Sequence, residues 1–100
     1  MGFVLLGKKH GAQSWADMFV QVCGLMYDMH ASEFHNVLTM GTDKHKWFSQ
    51  DASSLLRPRL VPGTDVFVYT NLSANDCLRR GRAVIELFGH DPAALVVEPE

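Results

Sequence analysis

The stretch Ser14–His30, S-W-A-D-M-F-V-Q-V-C-G-L-M-Y-D-M-H, decides the fold. Wound at about 3.6 residues per turn, it sets Trp15, Met18, Phe19, Val22, Leu25, Met26 and Met29 in one stripe. Ala16, Val20, Cys23 and Tyr27 widen the stripe past half the circumference, and Asp17, Gln21, Gly24 and Asp28 form a narrow polar strip. A helix resting on a surface shows a narrower apolar face than this. The segment is therefore expected to be the core helix of a small domain, covered on two sides. Ser14 supplies an N-cap, and Asp17 approximates a capping box while complementing the positive helix end.

On its N-terminal side, Phe3–Leu6 is a short run apolar on both faces, suited to a buried strand. Gly7-Lys8-Lys9 turns the chain, and His10–Gln13 returns as a hairpin partner. Beyond the core helix, Ala31–Leu38 restarts a brief helix carrying Phe34, Val37 and Leu38. Lys44–Ser49 reads as a strand through Trp47 and Phe48. Asp51–Leu56 reads as one helical turn, and Arg57-Pro58-Arg59 as extended edge with both arginines outward. Pro62–Asp65 is a turn signal, and Val66–Thr70 is the clearest strand. A second helix follows, capped by Ser73 and closed by Gly89 and Pro92. Its apolar face holds Ala74, Cys77, Leu78, Gly81, Val84, Ile85 and Phe88, with Arg79, Arg82 and Glu86 on another face. Ala94–Glu98 adds a last strand. The order β(β)ααβββαβ predicts an α+β domain, two main helices packed on a mixed or antiparallel sheet.

One hundred residues, 47% hydrophobic and 20% charged, suit a single globular domain over 1–100 and argue against disorder. The formal charge of -2 argues against binding polyanions by bulk charge. The nine basic residues nonetheless fall in four clusters, Lys8-Lys9, Lys44-His45-Lys46, Arg57-Pro58-Arg59 and Arg79-Arg80-Gly81-Arg82, whereas the acids are scattered. A fold that joins two or three of these clusters makes a local positive patch; otherwise they are solvated turns. Two cysteines in separate helices make no disulfide framework and fit a reducing cytoplasm. No apolar run approaches the ~20 residues of a membrane span, and Phe3–Leu6 is too short for a signal-peptide core.

Motifs with chemistry in them fail on inspection. Gly2–Lys8 reads G-x-x-x-x-G-K, but Lys9 stands where magnesium needs Ser or Thr, and Phe-Val-Leu-Leu cannot cradle a phosphate. Cys23 and His30 share a helical face but lie two turns apart, too far for one zinc. No cofactor and no metal site is expected. A helix-turn-helix ending in Ser32–Leu38 would carry no Arg or Lys on its reading helix. Cys77 lies in the first turn of the second helix, where a thiol pKa can fall, but also on the apolar stripe.

Ser14-Trp15, Trp47-Phe48-Ser49, the run P-G-x-x-V-F-V-Y-T-N-L-S-A-N-D from Pro62 to Asp76, and F-G-x-D-P at 88–92 carry a resemblance. Together they resemble a small, poorly characterised domain appended to bacterial restriction or nuclease-type proteins. The resemblance implies a DNA-associated or defence context and an accessory role, and gives no residue a function. The start on an apolar strand also suits a module of a longer protein.

The leading expectation is a non-catalytic, cytoplasmic accessory module that binds nucleic acid or a nucleic-acid-processing enzyme. Its surface would be Lys44, Lys46, Arg57, Arg59, Arg79 and Arg82, with Trp47 as a stacking side chain. The alternative is a homodimerising interaction module using the wide apolar helix with Ala83 and Leu87. A third reading is an enzyme with Cys77 as nucleophile.

Overall fold

The computed structural model describes residues 1–98 and shows an α+β architecture. Strands β1 (Gly2–Leu5) and β2 (Lys8–Gly11) form a hairpin, followed by helix α1 (Trp15–Met29) and a 3₁₀ helix over Ala31–Thr39. Three short strands, β3 (Phe48–Ser49), β4 (Arg59–Leu60) and β5 (Phe67–Val68), precede helix α2 (Ala74–Leu87) and strand β6 (Leu95–Glu98). The strands form two separate antiparallel sheets, β2-β1-β6 and β3-β5-β4, where the sequence suggested one. No described helix is long and apolar enough to cross a membrane.

Local chemistry sets the helix limits. Ser14 accepts the amide of Asp17 through Oγ at 3.0 Å, while the Asp17 carboxylate accepts the amide of Gln13 at 2.9 Å. Ser73 accepts the amide of Asp76 in the same way at 3.2 Å. At the far end of α2, His90 N–H reaches Ile85 O and Gly89 N–H reaches Glu86 O, both at 3.0 Å. With Gly89 at φ +87°, this is a Schellman closure that only glycine adopts without strain. The polar strip of α1 faces its neighbours as much as water: Gln21 donates to the carbonyl of Gly11, and Arg59 approaches Asp17 at 3.8 Å.

The apolar face of α1 is covered within the chain, by α2, the 3₁₀ helix and both sheets. Met18, Phe19, Val22, Cys23 and Met26 are fully buried against Val84, Ile85, Val61, Val66 and Val68. Met29 is 51% exposed, so the stripe stops one turn early. In the first sheet, Phe3 pairs with Val97 and His10, and Leu5 with Leu95 and Lys8. Phe3, Leu5 and Leu95 face the core, whereas Val96 opposite Val4 is 47% exposed. This sheet is thus covered on one face, and the apolar character of Val4 does not signal burial on both.

The central strands are shorter than their sequences suggest. The expected strand over 44–49 loses its first residues to a tight loop, with Gly41 bridged to Lys46 and Thr42 exchanging backbone hydrogen bonds with His45 at 3.0 and 3.1 Å. Gly41 has φ +87°, and a β-carbon there would lie 2.5 Å from the His45 carbonyl. Arg57 is not extended: its φ is +46°, and its carbonyl accepts the hydroxyl of buried Thr70. The chain bends there, and only Arg59–Leu60, beyond Pro58, forms the edge strand.

Candidate functional site

The loop closed by Gly41 and Lys46 presents Lys44, His45 and Lys46 to solvent beside the turn at 52–54. These three residues, with Ser53, Ser54, Leu55, Leu56 and Tyr69, line a pocket of about 250 Å³. Two lysines and no carboxylate stand in that lining. Asp51 organises its floor from outside: the carboxylate accepts the Ser53 amide at 3.0 Å and the Ser53 hydroxyl at 2.8 Å. Those bonds, helped by the charge of Lys46, hold the Asp51 carboxyl below its usual range. The Ser54 hydroxyl donates to the Asp51 carbonyl at 2.8 Å, so both serines already donate their protons. The charged donors for a ligand are therefore Lys44 and Lys46, with the Tyr69 hydroxyl as a neutral one.

Behind this pocket lies Arg80, which the sequence places in a basic cluster but not among the expected binding residues. It sits on the buried arc of α2 between Cys77 and Val84 and is 5% exposed. Its guanidinium carbon lies 4.5 Å from the ring centroid of Trp47 and 5.4 Å from that of Tyr69. Its Nη2 donates to Nε2 of His45 at 2.7 Å, and the His45 ring meets Tyr69 edge-on at 4.9 Å. Since an arginine can only donate, His45 Nε2 is the acceptor, and the neutral ring carries its proton on Nδ1. Burial draws the guanidinium below its ordinary value, with the neighbouring Arg79 charge adding to the effect. The spacing Cys77, Arg80, Gly81, Val84 was the available signal, because i, i+3, i+4, i+7 places position 80 on the packed face.

The other expected site residues do not gather here. Arg79 pairs with Asp76 at 2.8 Å, and Arg59 leans toward Asp17. Arg57 is exposed at the strained bend just after Leu56. Arg82 does not stand on an exposed face: its Nε and Nη2 donate to the carbonyl of Leu95 at 3.1 and 2.9 Å and tie α2 to β6. Trp47 is half-buried with Arg80 on its ring, so it is not an open stacking platform. Lys44, Lys46 and Trp47 are brought together; Arg59, Arg79 and Arg82 bind neighbours of their own.

The alternative sites have weaker chemistry. Cys77 is fully buried, and burial followed by the Asp76 charge pushes its thiol up, away from a nucleophilic thiolate. Cys23 is buried and shifted upward as well, and the two cysteines are free. A second pocket, about 240 Å³, holds His35 hydrogen-bonded to Asp65 at 2.8 Å. Its one aliphatic hydroxyl, on Thr64, donates to Val61 O at 2.8 Å and is not bonded to the dyad. Among the described residues no group of three or more His, Cys, Asp or Glu could hold a metal ion. The dimer surface expected on α1 is covered inside the chain, with Ala83 half-buried and Leu87 40% exposed.

Comparison of the chain with protein-family models, curated proteins and solved structures finds no match.

Proposed function

We propose that the protein is a non-catalytic module that binds nucleic acid, alone or beside a nucleic-acid-processing enzyme, through the Lys44–Lys46 loop. The observation that supports this reading is the pocket lined by Lys44, His45, Lys46 and Tyr69, with no acid in its lining and a buried arginine behind it. Phosphate oxygens are the groups that such a lining favours. The cations free to meet a backbone are the two lysines, with Arg57 nearby, so about two or three charged phosphate contacts are expected. Contacts so few give weak, salt-sensitive binding.

The test is fluorescence anisotropy with labelled single-stranded and duplex oligonucleotides over a range of salt. Each lost contact flattens the slope of log affinity against log salt by about 0.7 to 0.9. Lys44→Gln with Lys46→Gln should therefore weaken binding and remove roughly two contacts' worth of slope. Lys8→Gln with Lys9→Gln, on the edge strand of the other sheet, should leave it unchanged. No binding at low salt, or an unaffected Lys44/Lys46 variant, overturns the proposal.

A further inference from the structure

Arg80 is the only charged side chain buried among the described residues; Asp76, one turn back on α2, is its acidic neighbour but pairs with Arg79 instead. Nη2 reaches His45, while Nε and Nη1 have no hydrogen-bond partner at all. A buried guanidinium with idle donors is costly unless something else in its surroundings compensates. The rings of Trp47 and Tyr69 supply part of that, through the faces of the cation. They leave its in-plane N–H groups, apart from the Nη2 bond to His45, without acceptors. Nη2 belongs to both two-point edges of the fork, paired with Nε on one and with Nη1 on the other. One imidazole lone pair is a poor match for a group built to grip two oxygens.

His45 and Tyr69 line the pocket and also touch the guanidinium. His45 and Tyr69 therefore link Arg80 to the cavity that Lys44 and Lys46 flank, and Arg80 itself is not in the lining. His45 itself is exposed, at the tip of the loop, and is held by the Arg80 bond and an edge contact with Tyr69.

We propose that His45 is a placeholder, displaced by the terminal phosphate of a nucleic-acid strand, which then takes an edge of Arg80 with two oxygens. This rests on the nucleic-acid reading above and narrows it to strand ends. Two features favour an end over an internal linkage. A phosphate monoester brings close to two negative charges and three acceptor oxygens, whereas an internal diester brings one charge and continues in both directions. The pocket, about 250 Å³, is smaller than the ~300–1,000 Å³ of sites that enclose whole small molecules. It has room for a phosphate group without enclosing a whole nucleotide.

The experiment compares one single-stranded oligonucleotide carrying a 5′-phosphate, a 3′-phosphate or hydroxyls at both ends, read by anisotropy against the intact protein. One phosphorylated form should bind about tenfold tighter than the hydroxyl form, the worth of one good charge-assisted pair. Excess inorganic phosphate should abolish that difference. His45→Ala should bind the phosphorylated strand more tightly than the natural sequence does, and Arg80→Gln should lose the discrimination. If Arg80→Gln fails to fold, His45→Ala decides alone, because an exposed loop histidine is not needed for the core. Weaker binding by His45→Ala overturns the placeholder role. Equal binding of all three strands, with Lys44→Gln/Lys46→Gln still weakening each, overturns the inference and leaves the nucleic-acid reading standing. Binding by no strand overturns both.

Discussion

Gly81 and Leu95 are in such close apposition that a β-carbon built on Gly81 would fall 2.9 Å from Leu95 Cδ2. Leu95 is fully buried at the start of β6 and cannot swing aside freely. The missing side chain at position 81 sets how closely α2 lies against the first sheet.

Gly81→Ala and Gly24→Ala should therefore have opposite signs. Alanine gains about 1 kcal/mol over glycine inside a helix. At position 81 overpacking costs about 1–3 kcal/mol and outweighs that gain. At position 24 the new carbon meets only the Pro62 ring, Cδ at 3.6 Å and Cγ at 3.9 Å, both ordinary contacts. Urea unfolding should show Gly24→Ala stabilised and Gly81→Ala destabilised; the same sign for both would refute the tight contact.

Met26 and Met29 lie on the same sequence stripe but differ in the fold, fully buried against 51% exposed. Met26→Ala should cost about 2–5 kcal/mol. Met29→Ala should stay within about 0.5 kcal/mol of the natural protein. Comparable losses in thermal or denaturant unfolding would mean that the apolar face of α1 extends to its last turn.

Leu6 and Gly7 form the two-residue turn of the β1–β2 hairpin, with φ of +52° and +83°. Positive φ at both central positions defines a turn that favours Asn-Gly. Leucine pays about 1–2 kcal/mol for that conformation. Leu6→Asn should raise the urea midpoint without changing the slope of the transition. A lowered midpoint would show that the half-exposed leucine contributes more by packing than it loses in strain.

Asp65 accepts from His35 at 2.8 Å and from Gln50 at 2.6 Å, and these bonds hold its carboxyl below the usual range, His35 foremost. A carboxyl lowered by folding stabilises fully above its unfolded value near pH ~4 and loses that contribution as pH falls through the folded value. Asp65→Asn should make stability less steeply dependent on pH along the acid limb, measured by urea unfolding between neutral and acidic pH. Superimposable acid limbs for the two proteins would show that the contact carries no linkage.

What was legible in the sequence was whatever depends on neighbours along the chain. Ser14 and Ser73 cap helices because the amides they accept lie three residues on, and Gly89 closes α2 through its own backbone. The alternation that buries Phe3 and Leu5 is local too. The second sheet was less legible, because each of its strands has only two residues and owes its existence to pairing across loops. The end of the extended run at Arg57 depends on Thr70, a hydrogen bond across thirteen positions. The site was half legible. Lys44 and Lys46, which line the candidate pocket, stand out by charge, whereas the burial of Arg80 depends on Trp47 and Tyr69, far from it in sequence. Arg82 reads as exposed until the carbonyl of Leu95 is seen beneath it.

β1 lies between β2, its immediate successor, and β6, at the other end of the described chain. A ribosome delivers these strands in the order of the sequence, at about 5–20 residues per second. The hairpin can close early, but two strands alone are marginal in water. Phe3 and Leu5 must therefore wait for Leu95 before their side of the core is sealed. For several seconds of each synthesis the first strand is an open edge. Until β6 arrives, the open edge of β1 is where a chaperone can hold the chain.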